Sequence, residues 1–238
     1  MMKRLRYIIR LLFLMVGFFF LIGLKKTEAA KLSKDVQEGD IVEFGTYMQS
    51  SKNDEWTDIK WRVLERDDDR VLLICDCCIE AIPYETADIT QDIDTLDTVW
   101  SDSSLRNWLN ESFFVSAFSE NEKDKILETR NQTDAYRNKL ETEETKDKVF
   151  LLSDDEVRKY FSKRFDRQAN ATDRAVNRDD TSIFVSDLTD DTVFWWLRSC
   201  GDEHNCAKVV GAEGAVVDSG FLISRLDIGV RPAIWVKI

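Results

Sequence analysis

Two cysteines bracket the loop that carries the chain's single histidine, Cys200-Gly-Asp-Glu-His-Asn-Cys206. Three chemistries are open to such a segment. In an oxidising compartment the thiols could close a disulfide around this small loop, provided their Cα atoms come within about 7 Å. In a reducing niche they would stay as thiols. Cys200, His204 and Cys206 could also offer three soft metal ligands, but no fourth ligand stands at a zinc-type spacing. His204 is the one imidazole for a nucleophilic triad. Ser199 is near it in sequence, yet no Gly-x-Ser-x-Gly turn precedes it, so no catalytic residue is assigned. Cys75, Cys77 and Cys78 lie in an apolar run and read as buried packing groups.

Two arginines stand among aromatic residues: Arg198 in Val193-Phe-Trp-Trp-Leu-Arg-Ser199, and Arg231 beside Pro232. A guanidinium in such surroundings needs carboxylate partners or a ring face to stack on. One reading is an internal ion pair that ties the last strands to the core. The other is a ligand surface made by Trp195, Trp196 and Arg198. Asp88, Asp92, Asp94 and Asp97 could supply oxygens to calcium. The stretch lacks the Gly and closing Glu of an EF-hand, so a solvated acidic loop is expected, with no metal and no cofactor.

The elements that must position these groups follow from hydrophobic period. Ile59, Trp61 and Val63 alternate with Lys60 and Arg62, the pattern of a half-buried strand. Asp67-Asp68-Asp69 makes a turn into Arg70–Cys78, apolar on both faces and therefore central. Leu105, Trp108, Leu109, Phe113 and Phe114 recur at helical steps behind Ser101 or Ser103 as cap. Ser119-Glu-Asn-Glu122 and Ser153-Asp-Asp-Glu156 are capping boxes. Val149–Leu152 and Gly229–Ile238 read as strands, and Ala207–Val210 with Ala215–Val217 as a hairpin about Gly211 and Gly214. The polar stretches 83–99, 128–148 and 162–192 read as long loops, where binding usually resides. Strands at both ends with helices in the middle indicate one α+β domain over 40–238, after a lead-in at 31–39.

The first ten residues hold Lys3, Arg4, Arg6 and Arg10 and no acid, and Leu11 to Leu24 is apolar. With Ala29 and Ala30 behind it, this has the three parts of a secretory signal over 1–30. An apolar core of about 14 residues is short of the roughly 20 that span a bilayer. An uncleaved anchor stays open, because Ile8 and Ile9 extend the run if Arg10 reaches the interface. The domain is thus expected to be secreted or tethered outside the cytoplasmic membrane, touching membrane only through this segment. Losing residues 1–29 removes six Lys/Arg and one Glu and takes the formal net charge from −12 to −17. Such a balance argues against nucleic acid and anionic membrane surfaces as partners.

Four segments in order carry a resemblance. They are Trp61-Arg-Val-Leu64; Trp100 with Leu105-Arg-Asn-Trp-Leu-Asn110; Val149-Phe-Leu-Leu-Ser153; and Trp196-Leu-Arg-Ser199 with Gly229-Val-Arg-Pro-Ala233. Together they resemble the bacterial domain of unknown function 6273, over about 40 to 238. The resemblance implies an exported protein of a Gram-positive bacterium. The closing pattern is more loosely similar to the formylglycine-generating-enzyme group, which implies a C-type-lectin-like topology with paired terminal strands. That group's copper-binding Cys pair has no match here, and lectin Glu-Pro-Asn and Trp-Asn-Asp motifs are absent. The expected function is a non-catalytic module that binds a glycan, peptide or other component of the cell envelope or host. A carboxylate-based enzyme and a structural envelope protein are the alternatives. Intact mass of the exported protein separates the two N-terminal readings: a chain starting at Ala30 or Lys31 means secretion, and the full-length mass means a tether.

Overall fold

A computed structural model of the chain describes residues 30–86, 99–134, 142–177, 185–186 and 191–238. The signal segment, apart from its last residue, and the aspartates between Asp88 and Asp97 lie outside the described residues. The fold is α+β with strands predominating. Strands β1 (Ala30–Lys31), β2 (Ile41–Met48), β3 (Trp56–Arg66) and β4 (Arg70–Cys75) line up in that order. The alternation in β3 holds: Ile59, Trp61 and Val63 are buried while Lys60 is exposed. The run Val71–Cys75, buried throughout, needs a neighbour on each side, and the C-terminal strand Ala233–Lys237 supplies the second. The chain's last strand therefore pairs with β4. The expected pairing of the terminal strands does not form, because β3 and β4 stand between the last strand and β2.

After β4 the chain crosses into a second sheet as β5 (Glu80–Ala81). Helix α1 (Ser104–Trp108) follows, capped by the Ser103 hydroxyl, which accepts from Arg106 N. It widens into a π-helical turn (Leu109–Phe113) and closes as α2 (Phe114–Ala117). Leu105, Leu109 and Phe113, four residues apart, form its buried face. The capping box at Ser119 opens α3 (Glu120–Lys123), as its spacing requires.

The segment 128–148 departs from expectation. Instead of an exposed loop it holds a hairpin of β6 (Thr129–Asp134) and β7 (Thr142–Asp147). Its inner face is polar: Asn131, Thr133, Thr145 and Asp147 are buried. Asp147 makes this tolerable. Its carboxylate accepts from Arg106 Nε at 2.6 Å, Thr145 Oγ1 at 2.7 Å, Asn131 Nδ2 at 2.8 Å and Trp100 Nε1 at 3.2 Å. A buried charge so surrounded holds hairpin to helix. Val149–Leu152 is buried but makes no ladder. Phe150 forms a single bridge to Ala233 and Ile126 another to Val236, covering the free edge of the last strand.

The second capping box opens α4 (Asp154–Tyr160). The stretch 162–192, expected as a loop, contains a 3-10 turn (Arg164–Arg167), α5 (Asp173–Val176), β8 (Val185–Ser186) and the start of β9 (Thr192–Val193). The aromatic strand is β10 (Trp195–Cys200), followed by the expected hairpin of β11 (Cys206–Val210) and β12 (Val216–Leu222). The segment Gly229–Ile238 is not one strand. Gly229–Val230 forms β13 in the second sheet, ordered β12-β11-β10-β13-β5, while β14 (Ala233–Lys237) belongs to the first. Pro232, which has no N–H to give a ladder, sits at the crossing. A side chain at Gly229 would meet Cys78 Sγ at 2.7 Å, so only glycine allows this approach.

Arg231 occupies the crossing and is 1% exposed. Its Nε donates to Cys75 O at 2.8 Å, Nη1 to Arg167 O at 3.3 Å and Nη2 to Asp76 O at 3.4 Å. The guanidinium lies 5.1 Å from the Trp195 ring centroid and 5.7 Å from that of Phe161. The ion pair expected for Arg231 is thus replaced by carbonyls and ring faces. Removing the side chain would take a donor from Cys75 O and Asp76 O and leave a void, while Arg167 O keeps the Trp195 indole. Arg231→Ala should therefore cost about 3–5 kcal/mol of stability in urea unfolding, and a loss below about 1 kcal/mol would refute this role.

Candidate functional site

Trp195 and Trp196 are both 0% exposed and Arg198 is 3% exposed, so the ligand surface expected from these three residues is not on the surface. Their polar atoms, apart from Arg198 Nε, are used internally. Trp195 Nε1 donates to Arg167 O and Trp196 Nε1 to Ile82 O, each at 3.1 Å. Arg198 donates to both carboxylate oxygens of Glu156, one at 2.9 Å, and to Leu151 O at 2.7 Å. Glu156 is the return arm of the α4 capping box. The internal ion-pair reading therefore holds for Arg198.

Cys200 and Cys206 are both thiols, and the bridge between them is not formed. Register explains why. Cys200 lies opposite Ala207, so Cys206, one residue away, directs its side chain to the other face of the sheet. Cys200 Sγ donates to Asp134 O at 3.4 Å and Cys206 Sγ to Asn205 Oδ1 at 3.7 Å. Burial, then the carboxylates of Glu143 and Asp134, push the Cys200 thiol up to about 11. Cys75 and Cys78 are buried as expected, while Cys77 is partly exposed. Among the described residues no three His, Cys, Asp or Glu converge closely enough to hold a metal. Ser199 is committed to Asp154, donating to Oδ1 at 2.8 Å and accepting from its N–H at 3.0 Å. Alkylation of the unfolded, unreduced protein should modify all five cysteines. In the native state Cys200 should react more slowly than an ordinary thiol near pH 8, because a raised pKa keeps it neutral there.

The site with the strongest convergence of groups lies elsewhere. A cleft of about 530 Å³ opens where β2, β5, α1 and α5 meet. Glu80, at the edge of the second sheet, is 3% exposed. One of its carboxylate oxygens accepts from Arg174 Nε at 2.8 Å and from the Tyr47 hydroxyl at 2.9 Å. The local fold makes this meeting unavoidable. Thr172 caps α5 by accepting from Ala175 N, donates its hydroxyl to Ile79 O at 3.2 Å, and its N–H donates to Cys78 O at 2.9 Å. Helix α5 is thereby pinned to the residues just before Glu80. Asp173 fastens the same turn to the loop after β2, accepting from Ser51 N at 2.8 Å and Ser51 Oγ at 2.6 Å.

Trp108 and Tyr47 give the lining an aromatic part, with Thr86 and Ser104 adding polar groups, and further rings stand behind them. Trp108, half-buried, lies 5.4 Å from Phe113, which lies 5.4 Å from Tyr47, which meets exposed Trp56 edge-on at 6.0 Å. Leu105, Pro83 and half-exposed Leu226 complete the rim. Donating to the Glu80 carboxylate raises Arg174 further above an ordinary guanidinium, so Arg174 stays a fixed donor beside the Glu80 acceptor. Tyr47, Glu80 and Arg174 stand in no motif of the sequence, and Trp108 shows there only as part of a helix face. The one signal was Glu80 itself, a carboxylate inside Cys78-Ile-Glu-Ala-Ile82, where an apolar run would bury it.

No curated protein and no solved structure matches the chain, so the looser likeness to the formylglycine-generating group gains no support from these comparisons. The family model described as domain of unknown function (DUF6273) matches residues 68–238. The match begins in the β3–β4 turn and runs through every later element, including Glu80, Trp108 and Arg174, while Tyr47 precedes it. With well over half of its length matched, the chain belongs to the domain of unknown function 6273 family.

Proposed function

We propose that this protein is a non-catalytic binding module that works outside the cytoplasmic membrane and takes a glycan of the envelope or host in the Glu80–Arg174 cleft. The observation that carries the reading is the combination in one cleft of a tryptophan wall with a buried carboxylate and a guanidinium held 2.8 Å apart. A sugar ring presents both an apolar face and a set of hydroxyls. The first suits Trp108, and the second suits a fixed acceptor beside a fixed donor. One oxygen of the carboxylate, Oε1, is held by two donors, which fixes the group as an acceptor and suits recognition. A carboxylate-based glycosidase needs two acids across the scissile bond, and Glu80 is the acid among the described residues lining this cleft.

The extracytoplasmic placement rests on the signal-like pattern of residues 1–30. Among the described residues no helix is long and apolar enough to cross a membrane. A C-type-lectin-like topology stays part of the proposal. It is supported by helices in the middle of the chain and by the first and last strands sharing a sheet, though not as neighbours.

The protein should be screened against envelope and mucin glycans, with unfolding temperature and tryptophan fluorescence as readouts. At least one glycan should bind. Arg174→Ala and Trp108→Ala should each weaken it about tenfold or more, a loss of about 1.4 kcal/mol. Unchanged affinity in both variants, or no glycan bound at all, would overturn the reading.

A further inference from the structure

Glu80 and Arg174 are not equally placed to meet a ligand. The Glu80 side chain is 3% exposed, and its Oε1 already accepts from Tyr47 and Arg174. The Arg174 side chain is 35% exposed and lines the cleft. Of its donors Nε alone is engaged, on Glu80 at 2.8 Å, while Nη1 and Nη2 make no hydrogen bond among the described residues. Most of the contact with a ligand therefore falls to Arg174, and the accessible side of the pair is a set of donors.

Those donors are held in place. The Arg174 N–H donates to Gln49 O at 3.1 Å, and α5 is pinned through Thr172 and Asp173. The side chain cannot turn away without leaving the buried Glu80 carboxylate short of its cation. With Nε taken, a planar guanidinium still offers its two Nη groups as a fork. A hydroxyl fills one prong of such a fork, whereas a carboxylate fills both and adds its charge. Glu80 and Arg174 are the charged groups among the described lining residues and they offset each other, so the cleft itself does not repel a single negative charge. A phosphate, with nearly two charges, would need a second cation, and none is among those residues. Outside the lining, exposed Asp54 acts on Arg174 through space and opposes an anion.

We propose that the glycan taken by this cleft is acidic, a sugar whose carboxylate is received by Nη1 and Nη2 of Arg174 while its ring lies on Trp108. Glu80 is then a positioning residue, which holds the guanidinium. The inference rests on the glycan reading of the cleft and names the ligand class. Two sources supply such a sugar, the uronic acids of envelope polysaccharides and the sialic acids of host mucin.

Calorimetric titration of the full chain with glucuronic acid and N-acetylneuraminic acid, each against its own methyl ester, tests it. The ester keeps the ring and removes the charge. At least one acid should bind about tenfold or more tightly than its ester, and the difference should shrink as salt is raised. Tighter binding of glucuronic acid identifies the envelope source, and tighter binding of N-acetylneuraminic acid the host source. Arg174→Gln should bring the acid down to the level of its ester. Arg174→Lys keeps a cation beside Glu80 but loses the fork, and should lose most of the preference. Asp54→Asn, on the exposed loop after β2, should strengthen the acid about twofold to threefold and leave the ester unchanged. An ester that binds as well as its acid, or a neutral glycan bound in the wider screen while neither acid binds, overturns the acidic class and leaves the glycan reading standing. So does an acid preference that survives in folded Arg174→Lys. No sugar of any kind bound overturns the glycan reading itself, and this inference with it.

Discussion

The guanidinium of Arg231 is out of water with no ion pair among the described residues, a burial that costs several kcal/mol unless its donors are satisfied. Burial pulls its pKa down from the ordinary arginine value, and two aromatic faces and three carbonyls oppose that cost. Two of the carbonyls, Cys75 O and Asp76 O, belong to the segment in which the chain leaves the first sheet for the second. Arg231 itself lies in the segment where the chain returns. One side chain thus fixes both crossings to each other. The backbone completes the joint, Cys75 N donating to Pro232 O at 2.8 Å and Ile79 N to Val230 O at 2.9 Å.

The candidate cleft inherits its geometry from this joint. Glu80 is the first residue of the strand that the outward crossing delivers, so its position follows from that of Cys75–Ile79. Helix α5 is tied to the same residues through Thr172, and Arg174 rides on α5. Arg231 also holds Arg167 O, at the end of the 3-10 turn that leads towards α5. The β6–β7 hairpin depends on a different buried group. Asp147 gathers Trp100, Arg106, Asn131 and Thr145, and so seats the hairpin. In each case a buried ionic group trades its hydration for a set of donors or acceptors.

The residues on which the family resemblance was read are scaffold residues, and Trp61 among them precedes the matched range 68–238. Trp61 Nε1 donates to Phe44 O at 2.6 Å, and Asn110 clamps Lys148 N, Val149 N, Val149 O and Arg106 O. Arg106 serves Asp147, Arg198 serves Glu156 and Arg231 serves the crossing. Residues of this kind report the fold and are silent on what the protein binds.

Local patterns sufficed wherever the cause was local. The period of β3, the apolar run of β4, the caps at Ser103, Ser119 and Ser153, and the β11–β12 hairpin all follow from neighbours within a few residues. The aromatic setting of Arg198 and Arg231 left an internal ion pair and a ligand surface both open, and packing gave Arg198 a carboxylate and Arg231 carbonyls and ring faces. Tertiary structure alone decided the rest. The polar segment 128–148 became a buried-face hairpin because Asp147 satisfies it from four directions, two of them outside the hairpin. Cys200 and Cys206 stayed apart because register, set by pairing across β10 and β11, placed them on opposite faces. The strand expected over 229–238 broke because two sheets claim its halves. Glu80, Tyr47 and Arg174 meet although 33 and 94 residues of chain separate the first from the others. Composition and period along a chain report which groups must be buried; which of them touch is settled by packing between distant segments, and there the candidate cleft of this protein is made.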